Sequence, residues 1–376
     1  MKREPSTAGP LPPAVHGAAI APFAPGGLSS AGMIPDLTPA PAAWAGLAAW
    51  AAGLAAVLLV TPLVRRVAWA TGYLDHPEAR KLHLAATPLL GGVAVALGTA
   101  IGANLGFWSL DMALPARGLW WMAGALVAVS LGLVDDKRGM APAPKMLIQA
   151  LAAWLFLQGG VYPHAYFGEL WGQVIAILWM VGLMNAINFL DNMDGIVGGV
   201  SAICALAFAA LLAVWGWPHE ALFALGLGGA TLGFLRYNFA PARIFLGDTG
   251  SLFLGYALGA LGLVAAAAGP GVSGILSTLL VLGFPLFDTT FVVITRFADG
   301  RKVYVGGRDH TTHRMNRIVR GPRRTAAFVY ATTGAMALTG IALGINPGWP
   351  SGVLLVLAWA LVLFVAGRRL AREPHL

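Results

Sequence analysis

The chain has 376 residues, 58% of them hydrophobic and 11% charged, with a formal net charge of +8. Soluble domains average roughly a quarter charged residues, so this composition excludes an ordinary soluble protein. The single cysteine, Cys204, excludes an intrachain disulfide and a cysteine metal cluster.

Residues 1 to about 40 are rich in Pro, Ala and Gly and predict a flexible tail. Pro22 and Pro25 interrupt any signal-peptide core, and Met33 offers an alternative start. Residues 41–376 predict a single transmembrane domain. Its apolar segments number eleven: 42–63, 86–108, 118–134, 146–158, 170–188, 196–215, 220–235, 251–268, 272–295, 325–345 and 349–367. The expected fold is therefore an all-α polytopic membrane protein of about eleven spans. With the N-terminus outside, 21 of the 24 basic residues fall in inside loops or the cytoplasmic C-terminal tail, Lys2, Arg3 and Arg117 being the remainder. That bias explains the net charge by the positive-inside rule and not by nucleic acid. It also puts Asp75, Asp135, Asp136, Asp191, Asp194, Asp248 and His310 on one side, the cytoplasmic one.

The inside breaks carry six polar clusters. The first, Asp75-His-Pro-Glu-Ala-Arg-Lys-Leu-His83, offers Arg80, Lys81 and His83 to a phosphate or lipid headgroup, with membrane anchoring as the alternative for Arg80. In the second, Asp135 and Asp136 are adjacent, so on a helix they point about 100° apart and need not serve one partner. Lys145 follows at the start of the next span. The third, Asn185-Ala-Ile-Asn-Phe-Leu-Asp-Asn-Met-Asp-Gly195, spaces Asn185, Asn188, Asp191 and Asp194 by three. On a helix these form one stripe, with Asp191 and Asp194 presenting carboxylates to one side. Hard cations such as Mg²⁺ take ligands of this kind. The fourth runs from Asn238 through Phe245-Leu-Gly-Asp-Thr-Gly-Ser251. There Asp248 either caps the next helix or holds a cation, and Phe245 stacks on a base or packs at the interface. In the fifth, Pro285-Leu-Phe-Asp-Thr289, proline disrupts the helix inside a span, and Asp288 is an intramembrane acid with a function or a partner in Arg296 or a lysine. The sixth, His310-Thr-Thr-His-Arg314, suits phosphate or sugar contact better than zinc, because no third ligand lies nearby.

Taken in order, D-x-P-x-x-R-K-x-H, D-D-x₈-K, N-x-x-N-F-x-D-N-x-D-G, F-x-G-D-T-G-S, P-x-x-D-T and H-x-x-H-R resemble the polyprenyl-phosphate N-acetylhexosamine-1-phosphate transferases over residues 42–367. The resemblance implies transfer of a sugar 1-phosphate from a UDP-sugar to undecaprenyl phosphate in a bacterial plasma membrane. UMP is released, and Mg²⁺ (alternatively Mn²⁺) is required. It implies catalytic roles for Asp135, Asp136, Asp191, Asp194 and Asp248, with Asp248, Asp191 and Asp136 as metal ligands. It implies substrate contacts for Lys81, His83, Lys145, Asn188, Asn238, Phe245, His310, His313 and Arg314, and it allows a homodimer. Three successive histidines in the last motif mark the phospho-MurNAc-pentapeptide branch. The Asp309-His-Thr-Thr-His pattern here resembles the UDP-GlcNAc branch instead. An ion-coupled transporter is the competing class, disfavoured because the acids sit at one face and no inverted repeat is seen.

Overall fold

Long apolar runs in lipid adopt helices because each backbone N–H and C=O then finds a partner within its own segment. The computed structural model describes residues 39–75, 86–302, 307 and 309–372, and they are helical nearly throughout. In chain order the helices are α1 (Pro39–Thr71), α2 (Gly91–Ser109), α3 (Ala116–Arg138), α4 (Pro142–Leu157), α5 (His164–Leu190), α6 (Ile196–Val214) and α7 (Pro218–Asn238). They continue as α8 (Gly247–Ala268), α9 (Val272–Val281), α10 (Gly283–Ala298), α11 (Thr311–Val319), α12 (Pro322–Ile345) and α13 (Trp349–Ala371). Between α1 and α2, the two-residue strands β1 (Leu74–Asp75) and β2 (Thr87–Pro88) pair antiparallel, Leu74 opposite Pro88 and Asp75 opposite Thr87.

Eight helices (α1, α2, α3, α5, α6, α8, α12 and α13) are long and apolar enough to cross a membrane, and α9 with α10 makes nine if counted as one span. The protein is thus an all-α polytopic membrane protein. Two expected segments fall outside that set. α4 has 16 residues, and glycines and polar terminal residues lower the hydropathy of α7. The expected single span 272–295 is two helices bent by 69° at Leu282. Pro285, in the first turn of α10, has no N–H to carry the α9 ladder onward, so the run breaks there despite its unbroken apolar character.

Helix α8 forms the centre, buried on every side from Thr249 to Ala265. Its N-terminal end is gripped by two glycines. A methyl group on Gly92 of α2 would lie 2.1 Å from the Gly250 nitrogen, and one on Gly132 of α3 would lie 2.2 Å from the Thr249 Cα. Such close backbone approach is the usual packing device of membrane helices. At the periphery, α13 buries little beyond Gly352, Gly367 and Leu370. Its remaining apolar surface is suited to lipid.

Candidate active site

Four helix ends supply the polar side chains. Asp135 and Asp136 lie in the last turn of α3, Lys145 in the first turn of α4, Asn188 in the last turn of α5 and Asp248 in the first turn of α8. Between α3 and α4, Gly139 takes a positive φ of 67°, and the Met140 N–H donates to Asp135 Oδ1 at 2.6 Å. That turn brings Lys145 back beside Asp135. The Lys145 ammonium then bridges Asp135 Oδ2 at 2.6 Å and Asp248 Oδ2 at 2.7 Å. Asn188 Nδ2 donates to the other Asp248 oxygen at 2.6 Å and to Ser251 Oγ at 2.9 Å. Three distant stretches therefore meet at one lysine. The Asp248 side chain is 33% exposed against 8% for Asp135, so Asp248 is the carboxylate of this pair that still opens to solvent.

Asp136 has a different position. Its Oδ1 accepts the Asp248 N–H at 2.7 Å, and its Oδ2 accepts the Thr249 N–H at 3.0 Å and the Thr249 hydroxyl at 2.6 Å. The carboxylate caps the start of α8, where free N–H groups and the helix dipole favour a negative charge. Three of its roughly four acceptor sites are used in that clamp. The clamp orients Asp248 and leaves about one acceptor site of Asp136 for the metal role expected of it.

The third motif is not one helical stripe. Helix α5 ends at Leu190, Asp191 is its C-cap, and the chain turns through Gly195 at φ 79°. The Asn-Met-Asp-Gly run suits a turn, because these residues tolerate left-handed or locally hydrogen-bonded backbone. Asp194 lies in that turn, and its Oδ2 accepts the Ala242 N–H at 2.8 Å. Asp191 stays close to the cluster. Desolvation, then the charges of Asp248, Asp136 and Asp194, push it up to about 8. Among the described residues no three His, Cys, Asp or Glu side chains converge closely enough to hold a metal ion by themselves.

Other expected site residues are placed as follows. Lys81 and His83 lie outside the described residues, as does Arg80. Strand β2 adjoins the Asp248 motif through Phe245 N–H to Pro88 O at 2.8 Å. Phe245 is half-buried in that pairing. Asn238 is buried, its Oδ1 accepting the Gly195 N–H and its Nδ2 donating to Ile244 O, each at 3.0 Å. It ties two motif loops together. Arg314 is likewise fully buried, donating to Asp309 O at 3.1 Å and Leu370 O at 3.0 Å. The start of α11 is brought against the third motif, where the Thr312 hydroxyl donates to Asn192 Oδ1. His313 is half-buried there, and His310 is buried with Nδ1 3.0 Å from Asp288 Oδ2. Asp288 therefore pairs with His310, not with Arg296 or a lysine; Arg296 is taken by Asp309 at 2.7 Å. An open cavity of about 560 Å³ adjoins Asp194 and is lined by Arg320, Arg323 and Arg324.

Sequence reasoning missed the partners more than the participants. Thr249 and Ser251 were legible only as capping residues and Asn192 only as a member of the third motif, and no spacing pairs Gln149 with Asn185, whose Nδ2 donates to it at 2.7 Å.

Residues 119–266, which span Asp135 through Asp248, match the family model described as Glycosyl transferase family 4. The chain is 32% identical over 327 residues to the probable undecaprenyl-phosphate N-acetylglucosaminyl 1-phosphate transferase of Bacillus subtilis (strain 168), covering 84% of this chain and 89% of that one. It is 31% identical over 366 residues to the decaprenyl-phosphate N-acetylglucosaminephosphotransferase of Mycolicibacterium smegmatis, covering 84% and 88%. It is 35% identical over 242 residues to the phospho-N-acetylmuramoyl-pentapeptide-transferase of Limosilactobacillus fermentum, covering 58% and 74%. With a relative matched at that identity over most of both lengths, the chain belongs to glycosyl transferase family 4.

Proposed function

We propose that this protein transfers N-acetylglucosamine 1-phosphate from UDP-N-acetylglucosamine to undecaprenyl phosphate, releasing UMP, at the cytoplasmic face of a bacterial plasma membrane. The observation that carries the reading is the Lys145 ammonium held between Asp135 and Asp248 at the ends of three helices. Phosphoryl transfer asks a protein mainly for positioning and charge stabilisation. A lipid phosphate oxygen forms a bond to the sugar-bearing phosphorus, the bond from that phosphorus to the UMP oxygen breaks, and UMP leaves with the electron pair. Asp135, steadied by the Met140 N–H, orients the acceptor phosphate or takes its proton. Lys145 and Asn188 face the phosphate oxygens as charge moves onto the leaving group. Asp136 keeps Asp248 at the start of α8.

Asp248 and Asp191 are the residues that would hold Mg²⁺. The donor set fits this ion, because Mg²⁺ is usually bound by one or two carboxylates together with substrate phosphates and not by an all-protein cage. The carboxylate charges that add to desolvation in raising Asp191 fit it too, since a dication relieves them. When bound, Mg²⁺ offsets diphosphate charge and polarises the bond that breaks.

The choice of GlcNAc is supported by the Asp309-His-Thr-Thr-His pattern and by the two GlcNAc relatives, each matched over 84% of the chain. The pentapeptide relative, matched over 58%, keeps phospho-MurNAc-pentapeptide transfer as the second reading. Eleven membrane crossings, with the N-terminus outside and the C-terminus inside, are supported by the placement of basic residues. The test is UMP release by purified protein given undecaprenyl phosphate, Mg²⁺ and either donor. Release with UDP-GlcNAc alone is expected. Release with UDP-MurNAc-pentapeptide alone establishes the second reading, and release with neither overturns both.

A further inference from the structure

We infer that Asp288 is a positioning residue that fixes which ring nitrogen of His310 is offered to the sugar nucleotide; the inference rests on the reading under Proposed function. Asp288 is completely buried in α10, where an ionisable group needs partners. Its Oδ1 accepts the Thr311 N–H at 3.0 Å and the Thr311 hydroxyl, and its Oδ2 faces His310 Nδ1 at 3.0 Å. A carboxylate only accepts, so Nδ1 carries the proton in this pair and Nε2 is the remaining nitrogen. Nε2 has no hydrogen-bond partner among the described residues.

The imidazole stands beside the third motif. Its centroid lies 6.3 Å from that of Phe189 and 6.4 Å from that of His313, and the nearby Thr312 hydroxyl holds Asn192, the neighbour of Asp191. Other contacts fix the loop backbone without Asp288. Asp309 is clamped by Arg296 at 2.7 Å and by Arg301 at 2.8 Å, and Arg314 secures the Asp309 carbonyl. Asp309 is therefore held independently of Asp288, and what changes in an Asp288 variant is the imidazole. In Asp288→Asn the amide oxygen still accepts from Thr311 while its N–H₂ faces Nδ1. Nδ1 then has to accept, and the proton moves to Nε2, the wrong-tautomer effect known from Asp→Asn changes behind a histidine.

The experiment compares UMP-release kinetics of wild type, Asp288→Asn, His310→Ala, the double variant and Thr311→Val, alongside ¹⁵N-histidine spectra. Asp288→Asn is expected to lower kcat roughly tenfold or more, with the melting temperature held and the donor KM little changed. In the His310→Ala background it adds no more than about a twofold effect, because the two residues act as a unit. Thr311→Val stays within about twofold of wild type, since the imidazole contact survives. The wild-type spectrum shows His310 protonated at Nδ1, and the variant spectrum shows it at Nε2. Wild-type kcat in Asp288→Asn, additive losses in the double variant, an equal loss in Thr311→Val, or an Nε2–H wild-type signal each overturns the assignment. If Asp288→Asn fails to fold, the wild-type spectrum alone decides. An inactive wild type defeats the functional reading, whereas an active wild type with an indifferent Asp288→Asn defeats only this inference.

Discussion

Arg314 is fully buried, its guanidinium donating to the carbonyls of Asp309 and Leu370 and lying 5.2 Å from the Phe291 ring centre. Arg314→Ala leaves two carbonyls without their charged donor, so a stability loss on the order of 3 kcal/mol is expected, read as a lower melting temperature in detergent. An unchanged melting temperature with a raised donor KM would return Arg314 to substrate binding. Asp191 gives a pH prediction. Its pKa is raised to about 8 by desolvation and neighbouring carboxylates. A raised acid binds its proton in the folded state over a range where the unfolded chain has lost it. Its contribution is therefore complete below the ordinary carboxylate value of about 4 and falls as pH rises to about 8. In chelator, wild type should lose melting temperature relative to Asp191→Asn across that window, and Mg²⁺ should shrink the difference. Parallel pH curves would remove Asp191 from the charged cluster. Residue types at spaced motif positions were legible in the sequence for Asp135, Lys145, Asn188 and Asp248. Their partners were not, because a hydrogen bond such as Asn188 to Asp248 joins positions with no fixed offset along the chain.

At the scale of elements, the site depends on how closely α8 enters between α2 and α3. Gly132→Ala is the probe. A methyl group there would sit 2.2 Å from the Thr249 Cα, which is backbone and cannot rotate aside. The α8 start must shift, costing about 1–3 kcal/mol and displacing Asp248 from Lys145. Both melting temperature and turnover should drop. Turnover retained at the wild-type level would show that the α8 position tolerates movement. The helices themselves were legible from apolar runs. The break beside Leu282 was legible as a helix disrupted by Pro285, but its 69° bend was not, because Leu-Gly-Phe-Pro is as apolar as a straight span. The stripe expected of the third motif failed for the opposite reason. A period of three suits a helix, but Gly195 and the polar run before it end α5 at Leu190.

For the whole molecule, charge placement predicts sidedness more directly than helix counting does. Cys204 is buried, so single cysteines introduced elsewhere can be labelled against a low background. Ala113→Cys, between α2 and α3, should react with a membrane-impermeant maleimide in intact cells. Ala143→Cys, at the start of α4, should react only after the membrane is opened. The reverse pattern would invert the proposed orientation. The central claim is that acids from separate helix ends form one phosphosugar-transfer site around Lys145. Its most direct test incubates membranes bearing wild type or Asp248→Asn with both UDP-sugar donors and undecaprenyl phosphate, and identifies the lipid product by mass. Wild type is expected to yield undecaprenyl-diphosphate-GlcNAc, and a folded Asp248→Asn protein to form it at a rate lower by roughly 100-fold or more. Equal amounts of that product from both proteins would contradict the claim.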